Sequence, residues 1–401
     1  MIPKSLLPVE DFPVESRLYI GDRTSRTVAM QQCCCVDSSN SMPTHLDILA
    51  IEPFYGGARR QMLQTMMRLS RHHWTLLKLP ARRVERRLAA SARWFAELVG
   101  RLEMARVDLL FTSEMMNLTE LQRMVPRLGR RPSIVYFHDN QTPLLEQETT
   151  GPLDLINLNN AMASTEIWFN SQYHQDNFLH KTSVMVGRIP EIAGSSPVME
   201  LRGKSRVIPP PVDLGRIVAA SNTGPLVYRD ARTLFVDLRD ADVNLLLEVL
   251  WRLETRGEQF NLITVGADKD LPRGLRRTKL HERDEIGQYR AMREASIYLG
   301  LRYGATTDEL VVPALSAECW PVVPDAGLYA ELVPPMLHMS CLHDGSAESM
   351  VARILDSWYV DRPLGYETEQ QDIVARRDAI DSCHMIDDLL EEVAMRRTVR
   401  A

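Results

Sequence analysis

The sequence predicts an α/β protein with one parallel β-sheet in each half of the chain. Short apolar runs, rich in β-branched and aromatic residues, alternate with longer segments of helical periodicity, which is typical of strand-helix-strand units. The alternation stops at the three prolines 209–211, which forbid a helix, and resumes near residue 233. The length of 401 residues also exceeds what one core of about 150 residues usually needs, so two domains are expected.

The elements follow each other in the same manner in both halves. The predicted strands of the first half are residues 46–51, 74–79, 107–112, 133–137 and 167–169, and its predicted helices are 59–70, 83–98 and 159–165. The predicted strands of the second half are 234–237, 260–265, 297–301 and 321–323, and its predicted helices are 243–256, 285–294 and 309–317. Helices are also predicted near 346–359 and 380–396, and we expect the last segment to pack back on the first domain.

Two Rossmann-like domains joined by a linker are the architecture of GT-B glycosyltransferases, whose ligands lie in the cleft between the carboxyl ends of both sheets. The element pattern alone does not exclude other two-lobed α/β proteins. We therefore predict an N-terminal Rossmann-like acceptor domain over 46–212, a linker over 213–232, a nucleotide-sugar domain over 233–358 and a C-terminal helical segment over 359–401. Residues 1–45 precede the first predicted strand. We interpret them as a poorly ordered extension, with Met42 as a second candidate start.

Composition excludes several classes of protein. Hydrophobic residues make up 45% of the chain and charged residues 25%, so neither a disordered protein nor a basic coat protein is expected. No apolar run or basic-then-apolar leader indicates a membrane span or a signal peptide, and we expect a cytoplasmic protein. The six cysteines form neither a disulfide ladder nor a zinc pair. No metal site is predicted.

Charge is unevenly distributed along the chain. The net charge is −6, yet residues 59–131 contain sixteen Lys or Arg side chains against six Asp or Glu. Such a basic region is where an RNA phosphate backbone would bind, although a solvated helix face would show the same spacing. The candidate residues for binding such a backbone are Arg59, Arg60, Arg82, Arg83, Arg86 and Arg87.

Polar residues cluster where predicted strands end. Gly56 and Gly57 follow the first strand, and they permit close backbone approach of a ligand to the next helix, although a Gly-Gly pair is also common in ordinary turns. An imidazole and two amides follow the fourth strand at His138, Asn140 and Gln141, which is where α/β enzymes place working residues. A lone histidine there is often structural.

Four stretches together carry a resemblance. They read "IEPFYGG", "NLTEL", "YFHDNQ" and "FNSQYHQDNF", in this order between residues 46 and 213. This combination resembles the tRNA-queuosine α-mannosyltransferase family of GT-B enzymes. The family pattern typically reads "YFHENQ", so Asp139 replaces a glutamate.

The resemblance implies transfer of mannose from GDP-mannose to a cyclopentenediol hydroxyl of queuosine in tRNA, without a metal or another cofactor. It implies that His138, Asn140 and Gln141 face the reacting groups, with Gly56 and Gly57 nearby. The remaining candidates for binding the acceptor or sugar are Glu52, Asn117 and Asn170. No general base is assigned, since the leaving diphosphate can take the acceptor proton.

The second half departs from the family. The basic stretch that the family aims at the donor diphosphate corresponds to residues 235–242, where Arg239 stands among aspartates. The family's two donor-binding glutamates align with residues 304–308 and 312–314, neither of which contains a glutamate. Thr306, Thr307 and the nearby Glu309 are the remaining candidates for donor binding.

Three functions follow from these observations. The first is a hexosyltransferase acting on queuosine in tRNA, with a donor site rebuilt in the second lobe. The second is a catalytically impaired tRNA-binding or scaffolding relative. The third is a GT-B enzyme that glycosylates a small metabolite and needs no basic surface.

Overall fold

The structure is a computed structural model that describes residues 45–82, 84–101, 107–139, 152–187, 197–239, 241–266, 271–272 and 277–396. The described chain forms two lobes, each around a parallel β-sheet. The prediction of two parallel α/β domains is thereby confirmed. Residues 1–44 of the predicted extension 1–45 lie outside the described residues.

The first lobe is built on a sheet whose strands are mostly buried and rich in apolar residues. Its strands are Asp47–Tyr55 (β1), His73–Pro80 (β2), Leu109–Ser113 (β3), Ser133–Phe137 (β4), Glu166–Phe169 (β5) and Ser205–Val207 (β6). Its first helices are Gly57–Leu69 (α1), Val84–Arg101 (α2), Leu118–Met124 (α3), Pro126–Gly129 (α4), Pro152–Ala163 (α5), Gln172–Gly187 (α6) and Pro197–Gly203 (α7). The strand order is β2-β1-β3-β4-β5-β6, so the order reverses between β1 and β3.

The second lobe follows the same plan. Its strands are Asp230–Asp237 (β7), Asn261–Val265 (β8), Arg277–Leu280 (β9), Ala295–Leu299 (β10), Trp320–Pro324 (β11) and Leu342–His343 (β12). The helices that precede or accompany them are Leu214–Ser221 (α8), Val243–Thr255 (α9), Glu285–Glu294 (α10), Val311–Ser316 (α11), Tyr329–Leu332 (α12), His338–Cys341 (α13) and Ala347–Tyr359 (α14). The sheet order β12-β11-β10-β7-β8-β9 is that of a Rossmann fold and reverses between β7 and β10.

The chain ends with two helices, Tyr366–Ala375 (α15) and Ala379–Met395 (α16), and the second of them returns to the first lobe. The buried face of α16, which includes Ile386 and Leu390, joins the core on one side of the first sheet. Asp387 accepts hydrogen bonds from the Ser70 hydroxyl and the Arg71 amide, at 2.6 and 2.8 Å, just after α1. The carboxyl-terminal helix therefore links the second lobe to the first.

Some elements differ from the predictions. Helix α8 lies within residues 213–232, which we predicted as a linker, because Asp213 caps it and Leu214 and Ile217 pack into the core of the second lobe. The short strands β6, β9 and β12 were not predicted, and the first two contain charged residues, which obscure a strand pattern. No helix in the described part of the chain is long and apolar enough to cross a membrane.

Candidate functional site

The parallel sheets place the sequence-predicted residues at one edge of each lobe. In the first sheet Ser113 pairs with Tyr136 and Phe137 pairs with Phe169, so the residues that follow β3, β4 and β5 are neighbours. Crevices beside the reversal of strand order are the usual ligand sites of such sheets. The site of the first lobe therefore lies where β1 and β3 end, and that of the second lobe lies where β7 and β10 end.

A cluster of buried charges occupies the reversal point of the first sheet. It consists of Glu52 at the end of β1, Arg59 in the first turns of α1, and Glu114 directly after β3, and we call it the buried charge cluster. An Nη of Arg59 donates to Glu114, whose side chain is completely buried, while the side chain of Arg59 is only 14% exposed. A buried ion pair of this kind is expensive to break, because the remaining partner would be left charged in an apolar interior.

Burial also perturbs the acids of this cluster. Burial raises the pKa of Glu52 to about 7, an effect that Arg59 partly offsets and the neighbouring Glu114 reinforces. Burial likewise raises the pKa of Glu114, and its ion pair with Arg59 opposes that rise. Glu52 is therefore a carboxyl group able to gain or lose a proton near neutral pH.

His138 lies beside the cluster with its backbone tied on both sides. Its amide donates to Glu114 at 3.2 Å, and its carbonyl accepts from the side-chain amide of Asn170 at 2.9 Å. Asn170 is itself held in place, because its side-chain oxygen lies 2.8 Å from Nδ1 of the His174 ring. Burial and the nearby Arg59 lower the pKa of His138 well below its usual value, so the imidazole is neutral.

Gly56 and Gly57 allow close packing after β1, and Gly57 faces the second lobe. Gly57 has a φ of +49°, in the left-handed region that favours glycine. A Cβ atom added to Gly57 would lie 2.6 Å from a carboxylate oxygen of Glu309 in the second lobe. A Cβ atom on Gly56 would lie 2.6 Å from that of Ala81. Gly56 is therefore needed for close packing against Ala81, and Gly57 is favoured by its positive φ at a point where it faces Glu309 of the second lobe.

The donor-side residues of the second lobe form their own charge group. Arg239 contacts both oxygens of Asp237, at 2.9 and 2.8 Å, and Glu309 at 3.2 Å. Glu309 lies just before α11, so it is held by a turn and not by the helix that we predicted from residue 309. Thr306 is buried and donates to Asp139 of the first lobe at 2.9 Å, while the carbonyl of Thr307 accepts from Arg302.

A second contact across the cleft uses a helix terminus. Glu331 of α12 accepts hydrogen bonds from the backbone amides of Gln172, at 3.0 Å, and Tyr173 at the start of α6. A carboxylate stabilises the positive end of a helix. This contact and the Thr306–Asp139 bond join the loops of the two lobes next to the buried charge cluster.

Between the lobes lies a cavity of 580 Å³, a size typical of small-molecule sites. We call it the cleft cavity. Arg60 and Arg68 from α1 line one side, and Glu309 and Leu310 line the other. Arg377, from the turn between α15 and α16, also lines it. Within the described residues, no group of three or more His, Cys, Asp or Glu side chains is arranged to hold a metal ion.

The structure separates the sequence-predicted residues into those that meet at the cleft and those that do not. Glu52, Gly57, His138, Asn170, Arg239, Thr306 and Glu309 lie at the facing edges of the sheets. Asn117 instead caps α3 by accepting from the amide of Glu120. Asn140 and Gln141 lie outside the described residues.

The predicted tRNA-binding arginines also divide. Arg59 belongs to the buried charge cluster and does not lie on an outer face, because Glu114 holds it inside. Arg60 lines the cleft cavity. Arg82 is exposed and Arg87 is half-buried. Arg83 and the side chain of Arg86 lie outside the described part of the chain.

Two residues of the site were missed by sequence reasoning. Glu114 follows β3 directly, so its position at a strand end was a usable signal, but its partner Arg59 lies 55 residues away in sequence. Arg377 lies in a polar segment near the end of the chain, and nothing in the local sequence indicates that this segment crosses to the cleft.

Comparison with known proteins agrees with this geometry. Residues 47–212 match a family model described as the N-terminal region of tRNA-queuosine alpha-mannosyltransferase. A tRNA-queuosine alpha-mannosyltransferase of Drosophila melanogaster is 25% identical over 309 residues, which cover 72% of this chain and 81% of the relative.

Solved structures show the same architecture across both lobes. A sucrose-phosphate synthase of Thermosynechococcus elongatus is 10% identical and superposes with a TM-score of 0.61, covering 86% of this chain and 99% of that one. A trehalose-phosphate synthase of Burkholderia vietnamiensis is 11% identical, with a TM-score of 0.60 over 90% of this chain and 100% of that one. The chain therefore has a GT-B fold, and its residues 47–212 are similar to the N-terminal domain of the tRNA-queuosine alpha-mannosyltransferases.

Proposed function

We propose that the protein is a glycosyltransferase that transfers a hexose, in the simplest case mannose from GDP-mannose, to queuosine in tRNA. One observation carries the proposal. In the region that matches the family model, strands of the first sheet end at the buried charge cluster and at His138. This edge of the sheet faces the donor-side residues of the second Rossmann-like lobe. The similarity to the Drosophila melanogaster relative extends into that second lobe, since it covers 72% of the chain.

The chemistry follows from what each edge offers. Glycosyl transfer requires an acceptor hydroxyl held against the anomeric carbon and stabilisation of the departing diphosphate. The neutral imidazole of His138 provides a hydrogen-bonding group without adding charge beside the sugar, and its backbone is fixed by Glu114 and Asn170. The leaving diphosphate takes the acceptor proton, so no side chain has to serve as general base.

The basic charge of the first lobe favours an RNA acceptor. The region with sixteen basic and six acidic residues lies in the first lobe, and the exposed Arg82 belongs to it. A tRNA bound there through its phosphates would lose affinity with rising salt. A small-metabolite acceptor would need no such region, so dependence of the reaction on tRNA separates these two possibilities.

The proposal is tested by release of nucleoside diphosphate. The protein is incubated with GDP-mannose and with tRNA that contains or lacks queuosine, and GDP is quantified. We expect release of GDP that depends on queuosine. GDP release that is equal with both tRNAs would contradict the acceptor, and a panel of other GDP-sugars and UDP-sugars identifies the donor.

A second candidate is a tRNA-binding relative without transferase activity. The observation that favours it is the neutralisation of Arg239 by Asp237 and Glu309, which leaves that group with more negative than positive charge. Titration calorimetry with GDP-mannose, GDP and UDP-sugars separates the two candidates. Binding of none of these nucleotides would exclude the transferase, and tRNA binding alone would favour the second candidate.

A further inference from the structure

The donor-side charge group cannot by itself hold a diphosphate. Arg239 is the basic residue expected there, but it is bonded to two carboxylates, those of Asp237 and Glu309. The three side chains together carry one net negative charge. A diphosphate placed against them would be repelled, so its positive counterpart must come from elsewhere in the cleft. This inference rests on the proposed function, since it concerns the donor of that reaction.

Arg377 is a cationic side chain of the cleft cavity without an acidic partner. Among the described residues, no carboxylate oxygen lies within 4 Å of its guanidinium, and no side-chain hydrogen bond engages it. It is half-buried, and burial lowers its pKa, an effect opposed by Tyr136 and Glu331. Even so, an arginine stays protonated near neutral pH. A bound anion would supply the counter-charge that this partly buried guanidinium lacks.

The backbone that carries Arg377 is fixed in place. Its carbonyl accepts from the amide of Val212 at 3.0 Å, and Asp378 forms a parallel bridge with the same residue. Val212 follows the three prolines 209–211, whose restricted backbone stiffens this wall of the cavity. The crossing segment between α15 and α16 therefore presents Arg377 to the cavity from a defined position.

Arg60 supplies a second cation from α1 of the first lobe. Its Nε is buried without a hydrogen-bond partner, and its nearest carboxylate oxygen, on Glu285, is 3.9 Å away. The acids that line the cavity, by contrast, are engaged. They bond to arginines, tyrosines or helix amides and are Asp213, Asp284, Glu285, Asp308 and Glu309.

We propose that Arg377 and Arg60 bind the diphosphate group of the nucleotide sugar within the cleft cavity, in place of the neutralised Arg239. The cavity volume of 580 Å³ lies in the range usual for small-molecule sites, which suits a nucleotide. Apolar side chains of the second lobe, including Leu310 and Val312, line the same cavity and offer contact for the uncharged parts of the donor. Guanidinium groups are well suited to phosphate because they donate two parallel hydrogen bonds.

The test compares two adjacent arginines. Binding of GDP and of inorganic pyrophosphate to the full chain is measured by calorimetry for the wild type, for Arg377→Gln, Arg377→Lys, Arg60→Gln and Arg239→Gln, and for the control Arg376→Gln. Arg376 is exposed at the end of α15 and does not line the cavity. We expect Arg377→Gln and Arg60→Gln each to weaken binding of both ligands about tenfold or more, since a charged hydrogen bond is lost. Arg377→Lys should retain part of the affinity, and Arg376→Gln should bind as the wild type.

The outcomes separate this inference from the proposed function. If the wild type binds GDP and Arg377→Gln binds it equally well, while Arg239→Gln does not, the inference is wrong and the transferase proposal stands. If the wild type binds neither GDP nor pyrophosphate, both fail. If Arg377→Gln weakens tRNA binding but not GDP binding, the anion belongs to the acceptor and the assignment to the donor is overturned. Thermal unfolding of each variant verifies that it is folded.

Discussion

Arg59 and Glu114 form the residue contact on which the first lobe's site depends. Glu114 is completely buried, accepts from Arg59 through one oxygen, and accepts from the His138 amide through the other. Its carboxylate therefore connects the helix after the glycines to the loop that carries His138. Removing one charged partner would leave the other uncompensated in the interior.

Arg59→Met should consequently destabilise the protein by about 3–5 kcal/mol. The double variant Arg59→Met with Glu114→Gln should cost less than Arg59→Met alone, because glutamine removes the buried negative charge and keeps an acceptor for the His138 amide. Urea denaturation of both single variants and the double variant measures these free energies of unfolding. Strictly additive effects would mean that the two side chains do not interact.

Glu52 makes stability depend on pH. Because its pKa in the folded protein is about 7, above the usual 4.5, the folded state binds a proton that the unfolded state has released between these values. The contribution is fully present below about pH 4.5 and is lost as pH rises to about 7. The loss is on the order of 3 kcal/mol.

Glu52→Gln should remove this dependence. The difference in free energy of unfolding between the wild type and Glu52→Gln should change between pH 5 and pH 7.5, with the wild type losing stability relative to the variant. The measurement is urea denaturation at both pH values. A difference that is constant with pH would show that Glu52 titrates near its ordinary value in the folded state.

At the scale of elements, α16 ties the end of the chain to the first lobe. Ile386 is 2% exposed and packs beneath the first sheet, whereas Ile380 at the start of the same helix is 55% exposed. Ile386→Ala should cost about 2–5 kcal/mol in stability and Ile380→Ala less than about 0.5 kcal/mol. Chemical denaturation of this matched pair measures the difference. Equal losses would contradict the packing of α16 on the first lobe.

The elements that sequence predicted well are those with a strong local pattern. Strand 133–137 was predicted with the bounds of β4, and helix 285–294 with those of α10. Helix α8 was missed because its eight residues gain most of their stability from packing into the second lobe, which no local pattern reports. The same reason explains which site residues could be predicted. Glu52 and His138 lie at strand ends, which the sequence pattern locates, whereas the Arg59–Glu114 pair and the position of Arg377 depend on contacts between distant segments.

At the scale of the whole molecule, polar contacts beside the cleft join the two lobes. Glu331 caps α6 of the opposite lobe, and Thr306 bonds Asp139. Glu331→Lys would place a positive charge against the positive end of α6. The lobes should therefore separate, and small-angle X-ray scattering should show a larger radius of gyration than for the wild type.

The control for this prediction is Glu348→Lys. Glu348 is exposed in the first turn of α14, so the substitution makes the same change of charge away from the cleft. Its radius of gyration should equal that of the wild type. An unchanged radius for Glu331→Lys would show that the capping contact does not hold the lobes together.

The net charge of −6 combines a basic region in the first lobe with acidic regions elsewhere in the chain. The basic region lies in the lobe proposed to bind tRNA, and the two cations proposed to bind the diphosphate, Arg60 and Arg377, come from α1 and from the turn before α16. The two lobes and the crossing segment before α16 therefore have to come together to form a complete site.

The most direct test of the central claim is the mass of the modified nucleoside. The protein is incubated with GDP-mannose and queuosine-containing tRNA, the tRNA is digested, and the nucleosides are analysed by mass spectrometry. The account predicts that queuosine gains the mass of one hexose, and that Arg377→Gln slows this gain while Arg376→Gln does not. Queuosine of unchanged mass with every nucleotide sugar supplied would contradict it.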